Sequence, residues 1–353
     1  MVNNLITLLP LLRPLGAIYG FLMRCRAFLY EKSYLKSQSF TVPVISIGNL
    51  TMGGSGKTPT VIYLARFLQQ QGYRPAVISR GYGGKASAKF NVVSDGKTLF
   101  LESYEAGDEP RLIAENVSGV AVITGKKRKD PCTYAVNQLG CNIIILDDAF
   151  QHLAVKRDID LVLFNSATKN NLLHVLPAGI LREPFSALKR ANCFIITGSD
   201  DNTIQDNELV SSLRRKWRDK PLFHLFYRPT HCLDINGKKH ELDSIPSPVF
   251  VFCGIASPHR FMDTLKTLSL KVADAVFFAD HQHYDEGKIN KLSEEAKKRG
   301  AKALLTTEKD LIKLKTFNIE LPIYSLCMEI PPSSSLENYI LLALASNNPL
   351  SVN

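Results

Sequence analysis

The sequence predicts an α/β fold: a P-loop NTPase-type, mostly parallel sheet domain, then a smaller second α/β domain joined to it by a β linker. Three observations predict it. Apolar strand-like runs alternate with helical stretches through the first 200 residues. The run Thr51-Met52-Gly53-Gly54-Ser55-Gly56-Lys57-Thr58 stands between a strand-like and a helix-like segment. After residue 221 the alternation breaks at an aromatic-rich strand and an Asn236-Gly237 hairpin signal, then resumes.

Residues 1–38 form a unit of their own. The stretches 5–12 and 15–23 are mostly apolar, but Pro10, Arg13 and Pro14 interrupt them. Neither reaches the roughly 20 residues that a spanning helix needs. No basic residue precedes the first run and no small-residue cleavage site follows it, which argues against a signal peptide. Arg24, Arg26, Lys32 and Lys36 come next. Apolar residues followed by basic ones suit a helix lying in the headgroup region of an anionic leaflet. A helix packed on the protein's own core has the same local pattern.

Residues 39–221 are predicted as the phosphate-binding domain. Val42-Pro43-Val44-Ile45-Ser46-Ile47 is the first strand and 59–71 the first helix. The glycines between them let backbone N–H groups close around phosphate oxygens, with Lys57 reaching the β/γ-phosphates and the Thr58 hydroxyl holding Mg²⁺. The pattern departs from its usual form in having Thr51 at the first glycine position. Further strands are expected at 76–79, 120–124, 142–146, 161–164 and 193–197. The strand at 142–146 ends in Asp147-Asp148, the place where a carboxylate next to a P-loop meets the metal. Asp108, ahead of the helical stretch 111–116, reads first as a helix N-cap and second as a general base. Ser79-Arg80-Gly81-Tyr82, Gln151-His152 and the segment 177–184 with Arg182 are polar loops suited to anions or to turns. Lys126-Lys127-Arg128-Lys129 reads as a solvated basic run or a surface for anionic headgroups.

The β linker is expected over 222–248 and the second α/β domain over 249–346, with strands near 249–252, 303–306 and 323–326 and a frayed tail. Asp280-His281-Gln282-His283-Tyr284-Asp285 in this domain pairs imidazoles with carboxylates, for proton handling or as a plain surface loop.

Composition narrows the partners. The net charge of +10 suits nucleic acid, an anionic membrane or a phosphorylated substrate. No recognition fold or aromatic-interleaved basic stretch supports nucleic acid. The seven cysteines are scattered without a C-x-x-C pair, which argues against a disulfide framework or a zinc site.

Taken in order, Gly48-Asn49-Leu50 with residues 53–59, Ser79-Arg80-Gly81-Tyr82, Gly107-Asp108-Glu109-Pro110, Asp147-Asp148 with Phe150-Gln151-His152, residues 176–184, Asp280-His281 and Thr307-Glu308-Lys309-Asp310 resemble the tetraacyldisaccharide 4'-kinase (lipid A 4'-kinase) family of Gram-negative bacteria. The resemblance implies a peripheral enzyme on the cytoplasmic face of the bacterial inner membrane. It would transfer the γ-phosphoryl of ATP to the 4'-hydroxyl of a tetraacylated glucosamine disaccharide 1-phosphate, with Mg²⁺ and without nucleic acid or an evident protein partner. It implies Asp108 as base with His281 beside it, and Asp147 and Asp148 with Thr58 at the metal. Thr51, Met52, Gly53, Gly54, Ser55, Gly56, Lys57 and Thr58 would surround the nucleotide phosphates. Arg182 and Glu183 would stand near the phosphates or the acceptor, with Arg80, Gln151 and His152 on the substrate side. Two departures concern loop shape: Ala149 replaces the glycine usual after the paired Asp, and 165–174 lacks glycines. The rival reading from the P-loop alone is a partitioning-type switch ATPase, whose signature Lys before the paired glycines is here Met52.

Overall fold

The computed structural model describes residues 9–168, 172–198 and 208–347. The start of the first apolar stretch, positions 169–171 of the glycine-poor loop and the tail beyond 347 lie outside the described residues.

Among those residues, two sheets organise the chain. The first has eight strands in the order β3-β4-β2-β5-β1-β6-β7-β8. They are β1 (Val44–Asn49), β2 (Pro75–Ser79), β3 (Asn91–Asp95), β4 (Ala121–Thr124), β5 (Ile143–Asp147), β6 (Ile159–Asn165), β7 (Cys193–Gly198) and β8 (Leu222–Phe226). All neighbours are parallel except β3, which runs antiparallel on the edge. The central strands are buried along their whole length, as a sheet covered on both faces requires.

Helices are numbered α1 (Arg13–Glu31), α2 (Lys57–Gln70), α3 (Ser103–Ala106), α4 (Asp108–Asn116), α5 (Lys129–Asn137) and α6 (Glu208–Lys216) up to β8. In α2, Val61, Leu64, Ala65 and Leu68 recur at helical spacing and are buried against Ile45, Ile47, Val77 and Ile145. Each such leucine contributes about 1.5–3 kcal/mol by leaving water.

The second sheet has the order β10-β9-β14-β13-β11-β12. Its strands are β9 (Arg228–Asp234), β10 (Lys239–His240), β11 (Val249–Cys253), β12 (Val272–Phe277), β13 (Ala303–Thr307) and β14 (Ile323–Glu329). Between them lie α7 (Pro258–Lys266), α8 (Glu286–Lys298) and α9 (Glu308–Leu311), and α10 (Ser334–Asn347) follows.

The predicted strands reappear with shifted ends, and four placements differ from expectation. Leu222–Phe226, expected to open the linker, is hydrogen-bonded to β7 as the edge of the first sheet. Its apolar run fits a sheet edge and a linker equally, and only pairing separates them. The hairpin β9-β10 joins the second sheet through β14. Strands β3 and β12 were not anticipated. Finally, α10 carries Leu336, Ile340 and Leu344 back into the core of the first sheet, so the end of the chain covers α2 rather than the second sheet.

Helix α1 is turned opposite to a core-packed helix. Gly16 and Gly20 are its buried residues, set against Val175 and Pro184, while Leu15, Ile18, Phe21, Leu22 and Phe28 are exposed. No helix among the described residues is long and apolar enough to cross a membrane.

Candidate active site

The carboxyl ends of β2, β5, β1, β6 and β7 lie side by side, the edge where open α/β sheets bind ligands. The loop after β1 starts α2 through Gly56, whose left-handed φ of 73° turns the backbone into the helix. A side chain there would also overlap Tyr227, whose hydroxyl donates to Gly56 O at 3.2 Å. Thr197 donates to Ser55 O at 3.1 Å and Asn165 to Gly54 O at 3.0 Å. The loop is thus tied down at three consecutive residues, while Met52, Gly53 and Gly54 stay exposed.

The register pairs Ile47 with Asp147, which sets the paired carboxylates beside the loop's root. Lys57 Nζ stands 3.6 Å from Asp148 Oδ1, and Arg182 donates to both Asp148 oxygens at 2.9 and 3.0 Å. Burial raises the Asp148 pKa, but Lys57 and Arg182 outweigh it and hold the group below the ordinary carboxylate value. Asp147 is the opposite case. It is 5% exposed, and its side chain accepts from the Ser79 hydroxyl at 2.8 Å. Burial, with the Asp148 charge adding to it, pushes its pKa up to about 6. A carboxylate short of positive partners at the mouth of a phosphate loop is the donor a hard cation seeks, so Asp147, Asp148 and the Thr58 hydroxyl fit Mg²⁺. Asp148 itself takes the left-handed turn (φ 47°), and Ala149 at the usual glycine position is buried in the core.

Arg182 is delivered by an unexpected pairing. Met52 donates its N–H to Ile180 O at 2.8 Å, Thr51 bridges Leu181, and Arg182 donates its N–H to Leu50 O. The segment carrying Arg182 is stitched to the phosphate loop, and Tyr19 of α1 donates to Arg182 O at 3.2 Å.

Gly107, not Asp108, occupies the N-cap position of α4, and Asp108 is the first residue of the helix. Asp108 Oδ2 lies 3.1 Å from His281 Nδ1, a partner 173 residues away. His281 sits in a left-handed turn (φ 59°) with the Tyr82 ring edge-on at 5.8 Å. Lys309 stands 3.3 Å from His281 Nε2 and pairs with Glu109 at 3.0 Å and Asp280 at 3.1 Å. Burial weakens that ammonium, but the two carboxylates outweigh it and hold its pKa above the usual lysine value. Gly107 lies against Tyr82 O, so the loop after β2 spans from Ser79 at Asp147 to the neighbourhood of Asp108.

The other expected site residues make contacts of their own. Glu183 is 2% exposed and accepts from Arg190 at 2.7 Å, and the Arg190 guanidinium lies over the Phe150 ring. Gln151 braces the fold: it donates to Asn49 O, and its own carbonyl accepts from Arg26 of α1. His152 is half-buried, and burial plus Arg128, Arg157, Arg26 and Arg80 push it down to about 4, so it is neutral at pH 7. Arg80 is exposed at the end of β2. Arg128, expected in a solvated run, is buried and donates to Gly125 O and Asp147 O, while Lys126, Lys127 and Lys129 remain exposed. Asp285 caps α8, and Tyr284 is buried.

Lys313 was missed. Its Nζ lies 3.0 Å from Asp108 Oδ2. One lysine among many after a strand carries no local signal. Tyr227 and Asn165 were missed for the same reason.

A cleft of about 760 Å³ opens beside Thr58 between α2 and the second sheet, with Tyr227, Arg260 and Met328 among its walls.

The sequence model described as tetraacyldisaccharide-1-P 4'-kinase matches residues 8–345. The tetraacyldisaccharide 4'-kinase of Desulfotalea psychrophila is 43% identical over 336 residues, 94% of this chain and 96% of that protein. That of Syntrophus aciditrophicus is 38% identical over 88% of this chain and 87% of its own. The crystal structure of LpxK from Aquifex aeolicus in complex with ATP superposes with a TM-score of 0.78 at 31% identity, covering 96% of this chain and 99% of that one.

Proposed function

The chain belongs to the tetraacyldisaccharide-1-P 4'-kinase family, and from that premise we propose how its residues carry the reaction. The enzyme is an ATP-dependent kinase of lipid A biosynthesis that phosphorylates the 4'-hydroxyl of a tetraacylated glucosamine disaccharide 1-phosphate. Its phosphate loop closes on the β- and γ-phosphates, with Lys57 on their oxygens. Thr58, Asp147 and Asp148 would hold Mg²⁺, whose charge would offset that of the nucleotide phosphates. Arg182 leaves Asp148 enough to meet charge developing on the transferred group.

Asp108 takes the proton of the 4'-hydroxyl as that oxygen bonds to the γ-phosphorus and the bond to the β–γ bridging oxygen breaks, releasing ADP. The observation that carries this reading is the contact of the Asp108 carboxylate with His281 Nδ1 at 3.1 Å, across 173 residues of sequence. A carboxylate serving only its helix has no reason to reach a second domain.

The lipid meets the enzyme at the cytoplasmic face of the inner membrane, where α1 lies in the interface. Its exposed apolar face, with Phe21 58% exposed, supports this, as do Arg24, Lys32 and Lys36 beside it. Transfer of labelled γ-phosphate from Mg-ATP to the tetraacyl disaccharide 1-phosphate in micelles tests the reaction. Product is expected, and none from folded, ATP-binding protein overturns the assignment. In flotation with anionic vesicles, Phe21→Glu is expected to weaken partitioning about 10–100-fold, because burying a Phe contributes about 1.5–3 kcal/mol. Unchanged flotation overturns the seating of α1.

A further inference from the structure

Two donors from the second domain converge on one oxygen of Asp108. His281 Nδ1 and Lys313 Nζ lie 3.1 and 3.0 Å from Oδ2. The Lys313 side chain, just beyond α9, is 9% exposed. Its ammonium also donates to Gln282 O at 3.2 Å and stands 3.5 Å from Asp310 Oδ1, so its three N–H groups have three acceptors. Asp310 is fully buried and held rigidly: Gly254 N–H and the Thr307 hydroxyl donate to Oδ2 at 2.9 and 2.8 Å, and the Tyr284 hydroxyl to Oδ1 at 3.1 Å. Lys313 is therefore anchored on a fixed carboxylate behind it and aimed at Asp108 in front.

His281 is fixed differently. An ammonium only donates, so His281 Nε2 accepts from Lys309, and the ring proton sits on Nδ1, facing Asp108. Lys309 is occupied with Glu109, Asp280 and His281, which leaves Lys313 as the cation in direct contact with Asp108 among the described residues.

We propose that Lys313 is a positioning residue for phosphoryl transfer. With His281 it occupies Oδ2 of Asp108, fixes the carboxylate's rotamer and leaves Oδ1 to meet the 4'-hydroxyl. This rests on Asp108 being the base. Fixing one oxygen removes rotations that would otherwise be lost on reaching the transition state. The ammonium also offsets repulsion between the Asp108 carboxylate and an incoming polyphosphate.

The test measures kcat and both KM values for Lys313→Met and Lys313→Arg, and for Lys313→Met in an Asp108→Asn background. Lys313→Met is expected to lower kcat about 10–100-fold with both KM values within about twofold, and Lys313→Arg to recover most of the loss. In the Asp108→Asn background Lys313→Met is expected to cost nothing further, because it acts through Asp108. Because Lys313→Met strips Asp310 of its cation, the double variant Lys313→Met/Asp310→Asn is measured beside it, with the same fall in kcat expected. Losses that add to those of Asp108→Asn, or that fall on KM, overturn the proposal. Wild-type kcat in folded Lys313→Met with a crippled Asp108→Asn overturns it while keeping the base. Wild-type kcat in Asp108→Asn removes the base, and this proposal with it.

Discussion

Asp108→Asn is expected to lower kcat about 10²–10⁴-fold, the range that a positioned general base contributes, while the KM values for ATP and lipid change little. The asparagine keeps the side chain's shape and one acceptor oxygen for Lys313 and His281 but has no free carboxylate for the 4'-hydroxyl proton. Loss of a helix cap does not explain such a fall, because Gly107 occupies the cap position. The stability change is expected to be small beside the kinetic one, since Lys313 keeps Asp310 and Gln282 O as partners. Single-turnover transfer at saturating lipid, with circular dichroism on the same preparation, checks both. An undiminished rate would return Asp108 to a structural role.

Asp147→Asn is expected to move stability and activity in opposite directions. The Asp147 pKa rises from 3.8 to about 6 on folding, mainly by burial. A carboxyl raised in this way binds its proton more tightly in the folded state. It therefore favours folding fully below pH about 4 and loses that contribution as pH rises through about 6. Above that, the metal-free protein carries a strained charge costing up to about 3 kcal/mol. Asparagine removes the charge and still accepts from Ser79, so the metal-free variant is expected to melt higher than wild type at pH 8, the gap closing below pH about 5. Its kcat is expected to fall at least about 10–100-fold, the range that a partner in or around a metal site is worth, on the proposal that Asp147 helps to hold Mg²⁺. Thermal melts in chelator across this pH range, beside turnover in Mg²⁺, read both. A variant less stable than wild type at pH 8 would remove the idea that Asp147 is held in strain for a cation.

Both predictions rest on contacts of different sequence reach. The phosphate loop was readable because Gly53, Gly56, Lys57 and Thr58 act within eight residues of one another, between a strand and a helix whose periodicities differ. Asp147 and Asp148 were readable because they end an apolar strand. Asp108 stayed ambiguous in the sequence, because a helix cap and a general base share the same local pattern. Glu183 stood in the expected segment, yet its carboxylate found Arg190. Arg128 stood in a basic run, yet its side chain turned inward to Asp147 O.

By itself, then, the sequence determined alternating α/β elements, a glycine-rich loop between a strand and a helix, a carboxylate pair at a strand's end and an apolar-then-basic first helix, all properties of neighbouring residues. Only the tertiary structure decided that β8 closes the first sheet, that α1 turns its glycines inward, and that His281 and Lys313 meet Asp108 across the two domains. Those pairings join residues up to 205 positions apart, as Asp108 and Lys313 are. Such contacts form when distant segments are packed together, and no local spacing records which partner packing will bring.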